Sequence, residues 1–117
     1  MAQSILKEKS FTFAVRVINL YKYVSDKKKE YILSKQLLRS GTSIGALIRE
    51  SKNAESKMDF IHKMAIAQKE CDESIYWLEL LKETKYISET EFISMKNDAS
   101  ELLKIIRSII MTSKSNS

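Results

Sequence analysis

Apolar side chains recur every three or four residues through most of the chain, and this spacing constrains the fold more than any other feature. Steps of three and four place side chains on one face of an α-helix. The chain has no Pro and only two Gly in 117 residues, so the residues that most often end helices are nearly absent. The clearest examples are two long segments in which apolar or small residues alternate steps of three and four: Phe60, Met64, Ala67, Cys71, Ser74, Leu78 and Leu81, then Phe92, Met95, Ala99, Leu102, Ile106 and Ile109. The sequence therefore predicts an all-α fold.

We predict a single domain over residues 1–117 that contains four helices. Short polar turns between amphipathic helices suit an antiparallel up-and-down four-helix bundle, and the register favours left-handed packing. The predicted helices span residues 10–24, 27–53, 57–84 and 89–112.

Three polar patterns place the starts of the predicted helices. Ser56 followed by Asp59, and Ser88 followed by Glu91, match the capping box that satisfies free amide groups at a helix start. Asp26 precedes three lysines and is able to cap helix two.

The centre of helix two contains both glycines, Gly41 and Gly45. Each costs about 1 kcal/mol relative to Ala in a helix, so a break into two helices is the alternative. We favour one helix, because the register survives the crossing and small residues let a neighbouring backbone approach closely. The residues that hold this register are Leu33, Leu37, Ser40, Ile44, Leu47, Ser51 and Ala54.

The formal charge of +5 is unevenly distributed. Residues 1–57 contain 12 Lys/Arg and 5 Asp/Glu, whereas residues 58–117 contain 8 and 10. A basic half is typical of proteins with a polyanionic partner, although it also serves solubility. The longest apolar runs fall far short of the roughly 20 residues that span a bilayer. We expect a cytoplasmic protein with no membrane partner.

Reactive groups are scarce. The only cysteine, Cys71, excludes an internal disulfide, and its helical neighbours favour a buried structural thiol over a nucleophile. The only histidine is His62, whereas di-metal sites in bundles need a histidine from each of two helices. Glu70 and Glu73 would join His62 only if the helix bent. With no phosphate loop or nucleophile elbow in addition, we predict no enzyme activity, no metal and no cofactor.

A basic row on helix two is the main candidate for a binding site. Lys28, Lys35, Arg39 and Arg49 fall within roughly 80° of each other on a helix of 3.6 residues per turn. The row lies opposite the predicted core face, where cations are able to contact phosphates. An ordinary solvated face, paired in part with acids such as Glu50, explains the same row.

Other apolar positions predict self-association. Between Leu102 and Met111 apolar residues cover most of the helix circumference, more than a monomer needs to bury. Trp77 lies off the core register of helix three. We therefore expect Trp77, Leu103 and Ile110 at an interface between copies. Base stacking is the alternative role for Trp77 and four tyrosines: Tyr21, Tyr23, Tyr31 and Tyr76.

The segment Leu33–Ala46, LSKQLLRSGTSIGA, resembles a bacterial family of four-helix-bundle proteins first met as reading frames in intervening sequences of 23S ribosomal RNA genes. Three further segments follow the family pattern: Ser56–Ala67, Lys69–Leu81 and Glu101–Ile110. The resemblance extends from about Phe11 to Lys114. Two departures, Leu47 and Cys71, remain apolar and leave the basic row intact.

The resemblance implies a bundle that assembles as a homopentamer. The family is also similar to the accessory variability determinant of diversity-generating retroelements, a basic pentamer that works with a reverse transcriptase and nucleic acid. Most members have no assigned activity. We thus expect an oligomeric nucleic-acid-binding protein, with RNA preferred over DNA and little sequence specificity. The alternative is a scaffold that binds another protein, such as a polymerase, and no nucleic acid.

Overall fold

The computed structural model describes residues 1–116, and four α-helices contain most of them. These are α1 (Ala2–Lys27), α2 (Leu33–Ser51), α3 (Lys57–Glu83) and α4 (Glu89–Ser115). No strand occurs in residues 1–116, so the predicted all-α class is confirmed. None of the helices in that range combines the length and apolar character needed to cross a membrane.

The start of α1 differs from the prediction at residue 10, because α1 begins at Ala2. Leu6 and Ser10 are buried and continue the spacing of Phe13 and Val17. The charged residues at positions 7–9 interrupt the apolar pattern along the sequence but lie on the exposed face of the helix. One further buried turn therefore belongs to the core.

The predicted start of helix two at residue 27 is also wrong. α1 continues through Lys27, Lys28 caps its carboxyl end, and α2 begins only at Leu33. Lys29 adopts a φ of 57°, in the left-handed region that helices avoid, and this residue ends the helical path. Asp26 lies inside α1 and does not cap α2.

Glu30 caps α2 instead. Its carboxylate accepts hydrogen bonds from the backbone N–H groups of Ile32, Leu33 and Ser34 at 3.0, 2.9 and 2.8 Å. Burial of Glu30 opposes ionisation, but these donors together outweigh it and lower the pKa of the carboxyl. A long acidic side chain thereby satisfies three free amide groups at the start of the helix.

The starts of α3 and α4 agree with the capping patterns in the sequence. Ser56 Oγ accepts a hydrogen bond from the Asp59 N–H at 3.0 Å. Ser88 Oγ accepts from the Glu91 N–H at 3.1 Å, and the Glu91 carboxylate accepts from the Ser88 N–H at 3.0 Å. Local hydrogen bonds thus fix both starts, one residue after each serine.

Each helix packs against the next one along the chain, and α4 returns to α1. We call these contacts the α1–α2, α2–α3, α3–α4 and α1–α4 seams. At the α2–α3 seam Ser74 Oγ donates to Ser40 Oγ at 2.9 Å, and Lys63 pairs with Glu50 at 3.2 Å. Residues later in α2 therefore meet residues earlier in α3, so the two helices run in opposite directions.

Residues meet in the same reversed order at the α1–α2 and α1–α4 seams. At the α1–α2 seam Gly41 lies against Val17, whereas Gly45 lies against Ser10. The α1–α4 seam is the sparsest of the four. Two ion pairs bridge it, Lys9–Glu101 and Arg16–Asp98. α2 remains one helix through both glycines, as predicted, and Gly41 marks its closest approach to α1.

Candidate nucleic-acid interface

The structure places three of the four predicted basic residues on α2. Lys35, Arg39 and Arg49 are exposed on this helix. Lys28 is not on α2: it is the carboxyl-terminal cap of α1 and lines a surface depression with Lys82. The predicted row of four on one helix is therefore wrong for Lys28, because the turn begins later than the sequence indicated.

Arg39 is engaged by α3. Its Nη2 donates to Glu73 Oε1, which also accepts a hydrogen bond from Trp77 Nε1 at 3.3 Å. Its Nη1 lies 3.5 Å from Glu70 Oε1, an ion pair without a hydrogen bond. The charge of Arg39 is thus balanced by two carboxylates. Glu50, an expected partner of the row, pairs with Lys63 instead.

Arg49 lies in a different environment, between α2 and α1. Its guanidinium is 6.0 Å from the centroid of the Phe11 ring. Lys7 and Lys52 line the same open depression of about 470 Å³ as Phe11 and Arg49. We call these four residues the Phe11 patch. It combines an exposed aromatic ring with three cations: Lys7 on α1, Arg49 on α2 and Lys52, which follows α2 directly.

Sequence reasoning missed the Phe11 patch. Helix one was predicted to start at residue 10, so Lys7 was not placed on the same helical face as Phe11, one turn away. Lys52 follows the end of α2, and only the packing of α1 against α2 brings it to this depression. The apolar register through Leu6 would have revealed the longer helix.

Charge is segregated between the helices. α2 contains three Lys/Arg and one Glu, whereas α3 contains four Lys and six Asp/Glu. Several of the α3 acids are exposed, among them Asp72, Glu79 and Glu83. One side of the bundle is therefore positive, and α3 is negative.

The predicted interface residues lie mostly inside the protomer. Leu103 and Ile110 are 8% and 9% exposed, so the apolar surplus inferred for α4 is wrong at these two positions. A bundle helix contacts two neighbours as well as the central core, and its buried face is wider than a single stripe. Trp77 is partly buried and packs edge-on against Tyr76, with ring centroids 5.1 Å apart. Other apolar residues are exposed instead, among them Val15 and Ile18 on α1 and Met111 on α4.

The reactive groups are dispersed. His62 is exposed, and residues 1–116 contain no cluster of three or more His, Cys, Asp or Glu that would hold a metal ion. Cys71 is buried, and its Sγ donates to the carbonyl oxygen of Ala99 at 3.0 Å. Burial, with a contribution from the charge of Asp72, raises the pKa of this thiol to about 12. Cys71 is thus a protonated structural residue at neutral pH.

Residues 2–108 match the model of the 23S rRNA-intervening sequence protein family. The chain is also similar to a protein of unknown function from the S23 ribosomal protein family of Bacteroides thetaiotaomicron VPI-5482, solved by crystallography at 1.70 Å. The two are 51% identical and superpose with a TM-score of 0.94, over 95% of this chain and 99% of the other. No curated protein matches.

Proposed function

Because the chain belongs to the 23S rRNA-intervening sequence protein family, we propose that it is a non-enzymatic, self-associating cytoplasmic protein that binds nucleic acid. RNA is the preferred ligand, and contacts to phosphates leave the binding with little sequence specificity. The solved relative is itself of unknown function, so the support for binding comes from the charges of this chain.

The observation that carries the proposal is the set of cations left unpaired on the α1–α2 side. Lys7, Lys35, Arg49 and Lys52 are exposed and form no ion pair within residues 1–116. Lys35 and Arg49 lie about 21 Å apart along the helix axis at 1.5 Å per residue. That length accommodates several nucleotides of a phosphate backbone.

Self-association is the second part of the proposal. Val15 and Ile18 are exposed on one face of α1, and Met111 is 71% exposed near the end of α4. Covering such apolar groups favours association of copies. We propose a pentamer, as the family resemblance implies, and left-handed packing of the bundle, as the heptad register predicts. A ring would repeat the unpaired cations in every copy and strengthen the field that attracts a polyanion.

The test measures binding by fluorescence anisotropy, with structured RNA and duplex DNA at two salt concentrations. Light scattering first fixes the mass of the assembly. We expect affinity to fall steeply with salt, and the double variant Lys35→Glu/Arg49→Glu to reduce the salt slope by about 1 for each lost phosphate contact. The control is Lys69→Glu/Lys104→Glu, which makes the same change in net charge on α3 and α4.

Equal loss of affinity in both double variants would show that only net charge matters, and would refute an interface on the α1–α2 side. No binding to either nucleic acid by the intact assembly would refute the function itself. In that case the chain would be better described as a scaffold for another protein, such as a reverse transcriptase, and a specific protein partner resistant to nuclease would be sought.

A further inference from the structure

We infer that the Phe11 patch binds an unpaired nucleotide, whose base stacks on the Phe11 ring while Lys7, Arg49 and Lys52 hold the adjoining phosphates. This inference rests on the proposed nucleic-acid binding and specifies its ligand: single-stranded RNA, as found in loops, bulges and ends. The inference also places the centre of the interface at the Phe11 patch, which shares only Arg49 with the basic row predicted from the sequence.

The ring of Phe11 is available for stacking. Its side chain is 58% exposed, although phenylalanine residues are usually buried. The Arg49 guanidinium lies 6.0 Å from its centroid, so an aromatic surface and a cation occupy one place on the molecule. Nucleotides present the same two groups, a π face and an anionic phosphate, and stacking with adjacent cations is the usual way to bind them as single strands.

The shape of the surface supports a ligand of this size. The depression of about 470 Å³ that holds the Phe11 patch adjoins a second one of about 290 Å³, and both are lined by Lys7, Phe11 and Arg49. The first lies within the range of about 300–1,000 Å³ that small ligands occupy in proteins. Gly45 and Ala46 line the second, and neither has a long side chain that would fill it.

The charge of the patch favours an anion. Lys7, Arg49 and Lys52 face one acid, Glu8, among the residues that line the larger depression. The three cations form no ion pair in the part of the chain that the structure describes. Binding a phosphate would therefore not require breaking an existing salt bridge.

A duplex cannot make the stacking contact with Phe11 that this site requires. In a duplex the faces of the bases are covered by their neighbours, and only unpaired bases are free to stack on a side chain. Phe11 lies on the exposed surface of α1, so its ring would stack in a duplex only by entering between paired bases. The patch should therefore distinguish single strands from duplexes, whereas Lys35, farther along α2, should contact phosphates of either.

Tyr76 provides a matched comparison. It is 53% exposed, nearly as much as Phe11, but it lies on α3 near Asp72 and Glu79. These carboxylates repel phosphates, so an equally accessible ring in this position should not contribute to binding. Exposure alone thus does not define the site, because the ring and the cations must coincide.

The experiment compares Phe11→Leu, Phe11→Tyr and Tyr76→Leu with the unmodified protein, using a labelled oligouridylate and an RNA duplex of equal length. Base stacking on an aromatic residue predicts that Phe11→Leu weakens binding of the oligouridylate about 5- to 100-fold. Binding of the duplex should change by less than about twofold. Phe11→Tyr retains the ring and should retain affinity, and Tyr76→Leu should have no effect. Leucine keeps the surface apolar, so light scattering should report an unchanged mass.

Each other result has a definite meaning. If the unmodified protein binds both probes with a steep salt dependence but Phe11→Leu binds as well as Phe11→Tyr, the stacking site is refuted and the proposed function stands. If Phe11→Leu reduces the mass of the assembly, the ring belongs to an interface between copies, and the inference fails. If the unmodified protein binds neither probe, the inference and the proposed function fail together.

Discussion

α2 is held by two different kinds of packing on its two sides. At the α1–α2 seam the backbones approach closely, and a Cβ on Gly41 would lie 2.8 Å from Val17 Cγ2. At the α2–α3 seam polar groups pair across the helices, through Ser40 with Ser74 and Arg39 with Glu73. The α1–α2 seam is held by close packing that uses no ion pair within residues 1–116, so the cations beside it remain unpaired. At the α2–α3 seam, by contrast, the cation Arg39 is paired with a carboxylate of α3.

The largest effect on stability should come from adding a side-chain atom where α1 and α2 approach most closely. Gly41→Ala inserts a methyl group against the stiff, fully buried Val17 side chain. Overpacking of this kind costs about 1–3 kcal/mol, and the higher helix propensity of Ala offsets only about 1 kcal/mol of it. We expect a net loss of up to about 2 kcal/mol in the free energy of unfolding, measured by urea denaturation.

Gly45→Ala is the matched control, in the same helix and at the same seam. The nearest atom to its added Cβ is Ser10 Oγ at 3.5 Å, an ordinary contact. Here the gain in helix propensity should dominate and stabilise the protein by about 0.5–1 kcal/mol. Equal destabilisation by both substitutions would mean that helix geometry, not contact with Val17, requires glycine.

The sequence could predict the elements that local patterns determine. The capping residues Ser56 and Ser88 precede their helices directly, and the structure confirms both starts. The start of α2 could not be read in this way, because Glu30 acts only when Lys29 adopts a positive φ and turns the chain. A lysine in the sequence does not indicate a positive φ, whereas a glycine at that position would indicate one.

The candidate site was less predictable than the fold, for a related reason. Helical periodicity predicts Lys35, Arg39 and Arg49 within about 80° of each other, and all three are exposed residues of α2. That inference uses one helix only. The pairing of Arg39 with Glu73 depends on how α2 is offset along α3, and periodicity within a helix does not determine that offset. Contacts between helices therefore decide which cations remain available.

Acid should weaken the start of α2, where both seams begin. The pKa of Glu30 in the folded protein lies below its ordinary value of 4.5, since the amide donors outweigh burial. Its ionised form therefore stabilises the protein fully above about pH 5, and this contribution is lost as the pH falls through the folded pKa. Glu30→Gln should cost about 1 kcal/mol at neutral pH, as the loss of a helix cap does.

Urea denaturation at neutral pH and at about pH 3 checks this prediction, because the difference between Glu30→Gln and the unmodified protein should shrink in acid. A difference that is the same at both values would show that the shape of the side chain, not its charge, caps α2.

The smallest expected effect on stability comes from removing a cation that is ion-paired at the α2–α3 seam. Arg39→Ala removes the ion pairs with Glu70 and Glu73, but the Arg39 side chain is about half exposed, and solvent screens these pairs. The expected loss is about 0.5 kcal/mol at low salt, and less at high salt. Lys35→Ala, which breaks no ion pair, is the control and should change stability by less than about 0.3 kcal/mol. Thermal unfolding at two salt concentrations compares the variants, and equal losses would remove the distinction between the seams.

We expect the sparse α1–α4 seam to be the last to form during folding. The other three seams join helices that are neighbours along the chain, and such local contacts form early in helical proteins. α4 reaches α1 only after the intervening helices are in place, so we expect this seam to close last and to open first. A molecule caught with α4 detached presents the vacant position to α4 of another molecule. Exchange of the last helix between chains is therefore the misassembly to which this topology is most susceptible.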